Sequence, residues 1–512
     1  MLTFYLNGQL QEITQLDADM TLLRYLRSVK FFPGTKEGCA SGDCGACTLL
    51  VGEVSLDKQG HKVWKYHSVN SCITFLSQLE TKSIISVEWL AKSINTASPE
   101  ITLHPAQSAM IEKHASQCGF CTPGIVMSMA ALFDSKQGQT VTRQEIDEAL
   151  SGNLCRCTGY RPIIEAASSI MKEGTAAVKI WSPSLQNTAT LLAQADSKFM
   201  AGLKNPGKQS WVPSNETELK TLLSDHPDAR LVAGATDLAL EVTQAHKTIS
   251  KLISLNNIDS LKMVAIENEH LIIGAAAPYR VFESLLSSHF PEFGAMLLRL
   301  GSRQIRNNGT LGGNIANASP IGDTPPVLIA LGTELQMASE SGERWLPIEQ
   351  FFIDYKKTAL RKGEYLRLIK IPLLKASETL KVFKISKRLE DDISAVLMAL
   401  KLNIEEQQIT QVKTGFGGMA ATPKSALNIE KSLLGQNLNE ATFIRAAEQL
   451  SVDFTPIDDV RASAKYRIQV AKGLLHKCAI ELLEPMHPSR IEQIHSAKPV
   501  FVAGLKVELK HA

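Results

Sequence analysis

The chain has 512 residues, 44% of them hydrophobic, and a net charge of +2. Its length predicts three or four domains with ordinary buried cores, and a near-neutral chain with no long basic run leaves no electrostatic footprint for nucleic acid. The opening MLTFYLNGQLQEI has neither a basic nor a long apolar region, and apolar stretches such as 125–133 are too short to span a bilayer, so no membrane partner and a soluble, cytoplasmic protein are expected.

In chain order, LTFYL-NG-QLQEI places Asn7-Gly8 between two short alternating runs, which predicts a β-hairpin. A short helical pattern follows at Leu22, Leu23 and Leu26, then a glycine-rich loop from Gly34 to Gly45 and the strand TLLVGEV. Together these predict a small α+β domain over residues 1–90. Residues 91–172 turn helical. Thr122-Pro123 opens one helix, with proline at a tolerated first-turn position, and Thr142 with Glu145 forms the capping box of another. Residues 173–204 lack periodicity and are expected to be a linker. From about Ser210 strands and helices alternate. ARLVAGATDLAL and HLIIGAAAP read as strands with turns, and GSRQIRNNGTLGGNIANASPIGD as a long loop. Domain boundaries are expected at 205–375 and 376–484, with a peripheral tail over 485–512.

Nine cysteines are present, eight of them between Cys39 and Cys157. In a reducing compartment such a cluster favours metal over disulfides. Cys478, in AKGLLHKCAIELL, reads as a core or surface thiol. The first set, Cys39-x4-Cys44-x2-Cys47 with Cys72 beyond, has the ligand number and spacing of a plant-type [2Fe–2S] ferredoxin. A structural zinc site prefers paired CxxC knuckles. The second set joins Cys118-x2-Cys121, just before the helix opened by Pro123, to Cys155-x-Cys157, past the Gly152-Asn153 break. By residues alone this set leaves a cluster, a zinc site and redox exchange open.

In the later half, LVAGATDLAL carries no GxGxxG and no P-loop lysine, and taken singly it is compatible with an ordinary strand-to-turn connection. The second loop has Gly309, Gly312 and Gly313 with Thr310 and Asn314, a set of bare N–H groups and small polar side chains that suits a pyrophosphate. Two such loops suggest one dinucleotide held between them.

The segments GCASGDCGACTLLV, NSCITF, QCGFCTPGIVMSM and GNLCRCTGYRPI resemble the iron–sulfur portion of the xanthine dehydrogenase and aldehyde oxidase family of molybdenum hydroxylases. The resemblance runs from Leu2 to about Leu483. It implies an α+β multidomain fold: a plant-type ferredoxin-like domain, a four-helix [2Fe–2S] domain, a vanillyl-alcohol-oxidase-like FAD domain and a C-terminal α+β flavin-associated domain. It assigns a [2Fe–2S] cluster to each cysteine set, the helical one nearer the molybdenum and the ferredoxin-like one nearer the flavin. Gln117 and Cys157 are expected to approach the pterin of the partner. In the flavin domain, Leu231, Val232, Ala233, Gly234, Ala235, Thr236, Asp237 and Leu238 match the first pyrophosphate loop. Thr310, Gly313, Asn314, Asn317 and Asp323 match the second loop and its nucleotide contacts. Leu366 matches a flavin-contacting backbone position, and Lys384 a lysine near the isoalloxazine. Arg388, Glu390, Asp391 and Asp392 open the flavin-associated domain or form a solvated charged turn. One departure is Leu300, where many family members place an aromatic residue over the flavin.

No stretch matches the large molybdopterin-binding domain, so the resemblance implies the small subunit of a split, bacterial-type enzyme. Its partner is expected to be a large molybdopterin subunit, in a heterotetramer of two small and two large chains. Electrons from hypoxanthine and xanthine hydroxylation to urate would then pass through the helical cluster, the ferredoxin-like cluster and FAD to NAD. Subunits of aldehyde, nicotinate or aromatic-acyl-CoA hydroxylases, a stand-alone iron–sulfur and flavin carrier, and a zinc-stapled module remain the alternatives.

Overall fold

A computed structural model of the chain describes residues 1–57, 59–91, 103–136, 139–172 and 202–485. The stretch 173–201 of the expected linker and the tail from 486 lie outside the described residues. The first sheet contains β1 (Leu2–Leu6), β2 (Gln9–Ile13), β3 (Thr48–Leu56), β4 (Lys62–Asn70) and β5 (Ser83–Ile85), in the order β2-β1-β5-β3-β4. The hairpin turn forms at Asn7 (φ 51°) and Gly8 (φ 81°), as two left-handed residues in a tight turn require. Leu2, Phe4 and Leu6 bury with Leu22, Tyr25, Leu26 and Leu49.

The helical unit follows, with helices at Pro105–Glu112, Thr122–Ser135, Arg143–Leu150 and Arg161–Ile170. The Thr142 capping box is present, with Thr142 Oγ1 accepting from the Glu145 amide and the Glu145 carboxylate accepting from the Thr142 amide at 2.8 Å. The apolar stretch 125–133 is the buried interior of the second helix, and Ile125, Met127, Met129 and Phe133 pack in its core.

Past residue 202 the described residues form further sheets interleaved with helices. One sheet has β6 (Lys204–Asn205), β7 (Lys208–Trp211), β8 (Arg230–Val232) and β9 (Lys251–Ser254), ordered β6-β7-β9-β8, with β7, β9 and β8 parallel. Another contains β10 (Val264–Glu267), β11 (His270–Gly274), β12 (Glu334–Ser339), β13 (Gly342–Pro347) and, after the small pair β14 (Phe352–Asp354) and β15 (Lys357–Thr358), β16 (Tyr365–Pro372). Its order is β10-β11-β16-β12-β13.

Here the structure corrects the sequence reading. The stretch taken as one long loop folds as helices Arg303–Asn308 and Leu311–Ala316, and Thr324–Leu331 follows it. Its glycines and asparagines lower helix propensity, but Ser302 and Thr310 cap the two short helices, and Leu311 and Ile315 enter the core. Finally β17 (Glu378–Ile385), β18 (Val396–Glu405) and β19 (Gln408–Gly417) form an antiparallel sheet covered by the helix Ala464–Leu483. Cys478 is fully buried in that helix, so it is a core thiol. Among the described residues no helix is long and apolar enough to cross a membrane.

Candidate cofactor sites

The thiols of the first set meet two by two. Cys47 Sγ and Cys72 Sγ lie 3.3 Å apart, and Cys39 and Cys44 are hydrogen-bonded to each other. The loop turns its backbone toward the sulfur, since the amides of Ser41 and Cys44 both donate to Cys39 Sγ at 3.4 Å. The hydrogen bond from Cys44 holds the Cys39 thiol down to about 4, while Cys44 is pushed up. The bond from Cys72 likewise lowers Cys47, and Cys72 is raised. In each pair the shared hydrogen bond lowers one thiol and raises the other, and the thiolate is the form that ligates metal.

The second set repeats the pattern on helix ends. Cys118 Sγ and Cys157 Sγ lie 3.6 Å apart, and Cys121 and Cys155 are hydrogen-bonded, with burial pushing Cys121 up to about 12. Tyr160, left-handed at φ 69°, accepts from the Cys155 amide through its hydroxyl at 3.0 Å. Gln117 Nε2 donates to the Cys157 carbonyl at 3.2 Å. Among the described residues, no three or more His, Cys, Asp or Glu side chains gather closely enough to hold a single ion. Pairs of thiols suit a binuclear cluster, which takes two thiolates on each iron.

The two glycine loops of the later half touch each other. A Cβ on Gly234 would overlap the Asn308 carbonyl and the Gly309 Cα. The first loop runs from β8 through Ala235, left-handed at φ 62°, to a short helix at Leu238–Thr243. In the second, Thr310 Oγ1 accepts from the Gly313 amide at 2.9 Å, and Gly313 itself is exposed. Asn314 accepts from Thr324 at 2.6 Å, and Asn317, half-buried, ends that turn. A surface of small residues between two loops can accept a pyrophosphate.

Asp323 and Lys384, distant in sequence, form one buried ion pair at 2.7 Å. Ser394 donates to the other Asp323 oxygen at 2.5 Å, and Lys384 also donates to the Arg299 carbonyl at 2.7 Å. Arg299 answers with its guanidinium, which donates to the carbonyls of Lys384 and Leu389 and to the Ser386 hydroxyl. Arg299 escaped the sequence reading because it lies in no patterned motif, and Ser394 because the segment SKRLEDDISAV around it was read for its charges. Arg299 directly precedes Leu300, which packs half-buried against the core. Leu366 is buried in β16 opposite a β-bulge at Gln336/Met337. In the charged turn, Arg388 and Glu390 are exposed, whereas burial and the Asp43 carboxylate push Asp391 up to about 6.

Comparison with known proteins finds four family models along the chain. Residues 4–77 match a 2Fe-2S iron-sulfur cluster binding domain and 91–168 a [2Fe-2S] binding domain. Residues 206–374 match the FAD binding domain in molybdopterin dehydrogenase, and 381–482 the CO dehydrogenase flavoprotein C-terminal domain. The chain is 32% identical over 531 aligned positions to a xanthine dehydrogenase of Emericella nidulans, covering 93% of this chain and 38% of that protein. It is 33% identical to a xanthine dehydrogenase/oxidase of Rattus norvegicus, covering 86% of this chain and 36% of that one. It therefore spans under two-fifths of the length of these relatives. Among solved structures, a chain of the reconstituted CO dehydrogenase from Oligotropha carboxidovorans superposes with a TM-score of 0.50 at 25% identity, covering 52% of this chain and 94% of that one.

Proposed function

This chain belongs to the xanthine dehydrogenase family of molybdenum hydroxylases, in its iron–sulfur and flavin portion, and from that premise we propose that it is the electron-transfer subunit of a cytoplasmic, NAD-dependent xanthine dehydrogenase. Its partner is a large molybdopterin-binding subunit, two copies of each chain forming the complex, on which hypoxanthine and xanthine are hydroxylated to urate. When bound, two [2Fe–2S] clusters and FAD supply the redox chemistry. Cys39, Cys44, Cys47 and Cys72 hold one cluster. Cys118, Cys121, Cys155 and Cys157 hold the other. The loops 231–238 and 310–314 hold the FAD pyrophosphate, with Asn317, Asp323, Leu366 and Lys384 around the flavin.

The observation that carries this reading is the pairing of eight thiols, two by two, on two separate folds. A tetrahedral zinc needs four donors on one centre. The burial of the two sets supports the order of transfer. Cys118 and Cys157 are exposed, beside exposed Phe120, Leu154 and Tyr160, which leaves the helical set open to a molybdenum partner. Cys47 and Cys72 pack in one core with Val232, Ala235 and Val242 of the first flavin loop and its helix. Gln244 Nε2 donates to the Cys39 carbonyl at 2.9 Å, which supports a ferredoxin-like set next to the loop that would hold the flavin pyrophosphate. The names of the relatives favour xanthine over other substrates, whose selection rests with the partner.

The chain purified anaerobically should contain about four irons, about four acid-labile sulfides and one FAD, without molybdenum, and should reduce a dye with NADH but not oxidise xanthine. Zinc in place of iron would sink the cluster assignment. Xanthine hydroxylation by the pure chain would overturn the split-subunit reading.

A further inference from the structure

The helix Arg303–Asn308 belongs to the flavin unit by sequence, yet its side chains serve the two iron–sulfur units. Arg303 and Arg306 both bind Glu148 of the helical unit, Arg306 at 2.7 Å. Asn307 Nδ2 donates to the Ser68 carbonyl at 2.8 Å, in the first sheet. Gln304 Nε2 donates to Asn153 Oδ1 at 2.8 Å and to Ser128 Oγ at 3.0 Å.

Of these contacts, those of Gln304 reach the ligand loops. Asn153 stands two residues before Cys155. Its Oδ1 accepts from Gln304 and, at 2.6 Å, from Ser128. Its Nδ2 donates to the Gly45 carbonyl at 3.1 Å and to Thr48 Oγ1 at 3.3 Å. Gly45 lies between Cys44 and Cys47. Beside this amide, the Leu154 N–H donates to the Cys44 carbonyl at 3.0 Å, so the neighbour of a helical-set cysteine bonds directly to a ferredoxin-set cysteine. The crossing excludes side chains. A Cβ on Gly45 would overlap the Gly152 carbonyl and Asn153, and one on Gly152 would overlap Ser302 and Gln304. Gln304 and Ser128 are each 1% exposed and Asn153 is 4% exposed, so no water competes for these bonds and their loss is not compensated.

We propose that Gln304 is a positioning residue for electron transfer between the two iron–sulfur sites: through Asn153 it holds the two ligand loops in contact and fixes their separation. The inference rests on the cluster assignment above. A space-filling role is the competing account, and methionine separates the two. It fills a similar volume but donates nothing, leaving Asn153 Oδ1 with Ser128 alone.

The test uses the full, iron-loaded chain and its Gln304→Met variant. Two quantities are read: the magnetic splitting between the two reduced clusters in low-temperature electron paramagnetic resonance, and hydrogen exchange at the Leu154 amide. The variant should keep its iron and FAD, lose or shrink the splitting, and lose protection at Leu154. Adding Gln304→Met to an Asn153→Ala chain should change exchange little further, because Gln304 acts through Asn153. Wild-type splitting and protection in a fully loaded Gln304→Met chain would overturn the proposal. Absence of iron from the wild-type chain would instead defeat the cluster assignment. If the variant loads poorly, exchange compared between the metal-free chains decides, with unchanged Leu154 protection counting against Gln304.

Discussion

The two cysteine sets share a pairing pattern and differ in what lies over them. In the first, Cys47 and Cys72 are buried beneath residues of the flavin unit. In the second, Cys118 and Cys157 reach the surface, flanked by apolar side chains that are themselves exposed. The chain seals one site with its own later residues and leaves the other open. Exposed aromatic and aliphatic groups of this kind mark a surface meant to be covered. The asymmetry fits the proposed path, inward from the open site to the sealed one.

The strongest way to break this comparison is Cys155→Ser. A hydroxyl ligates iron poorly where a soft thiolate ligated it well, so the helical cluster should be lost. In the assembled complex, substrate-to-NAD turnover should then collapse while NADH-to-dye reduction persists. Intact substrate-to-NAD turnover would remove that set from the path. Lys384→Ala acts at the other end. It leaves Asp323 buried without its cation, a change that costs several kcal/mol in comparable buried pairs. Both activities should fall together with flavin content, and a variant that keeps its dye reduction would show that Lys384 does not serve the flavin.

A smaller effect sharpens the contrast without mutation. In the metal-free folded chain, a thiol reagent should label Cys118 and Cys157 first, and Cys47 and Cys72 only through local opening, slower by roughly tenfold or more. Peptide mapping at short times reads this directly, and equal rates would contradict the sealed-versus-open picture.

The smallest expected effect concerns acid. His104 caps the helix Pro105–Glu112 by accepting from the Ala106 amide through Nδ1, and burial lowers its pKa from 6.5 to about 4. The unfolded chain therefore binds the proton first. The histidine's contribution is fully present above pH 6.5 and is lost progressively as pH falls toward 4. His67, in the first sheet, is lowered to about 3 by burial and by Arg280, and adds a loss of the same sign. His104→Asn keeps a capping oxygen and removes one titration, so melting temperature should fall less steeply below pH 6.5 than in the parent. An unchanged slope would mean His104 is already protonated when folded.

What the sequence made legible was local. Cysteine spacing, the Asn7-Gly8 hairpin and the Thr142 capping box are short-range codes, and each of these backbone features forms where its residues predict it. Pairings across the chain were not legible. Nothing in the spacing says that Cys47 meets Cys72 while Cys118 meets Cys157, because partner choice is set by how separate elements pack. Asp323 and Lys384 were each singled out, but not as one ion pair. The helix Arg303–Asn308 was misread because its glycine- and asparagine-rich surroundings suggest a loop. Beyond the Ser302 cap it is held by contacts with its own unit and with two others, which no local propensity encodes.

The core beneath Cys47 and Cys72 bears on how far the chain can be taken apart. Leu23, Ile73 and Phe75 come from the first unit, and Val232, Ala239 and Val242 from the later one. Cutting the chain between them would carry half of this interior into water on each fragment, as an apolar face with nothing to cover it. The first unit has the outline of a free-standing small carrier, but its surface is finished only by residues more than a hundred positions further on. A truncated version would need those apolar positions replaced before it could stay in solution alone.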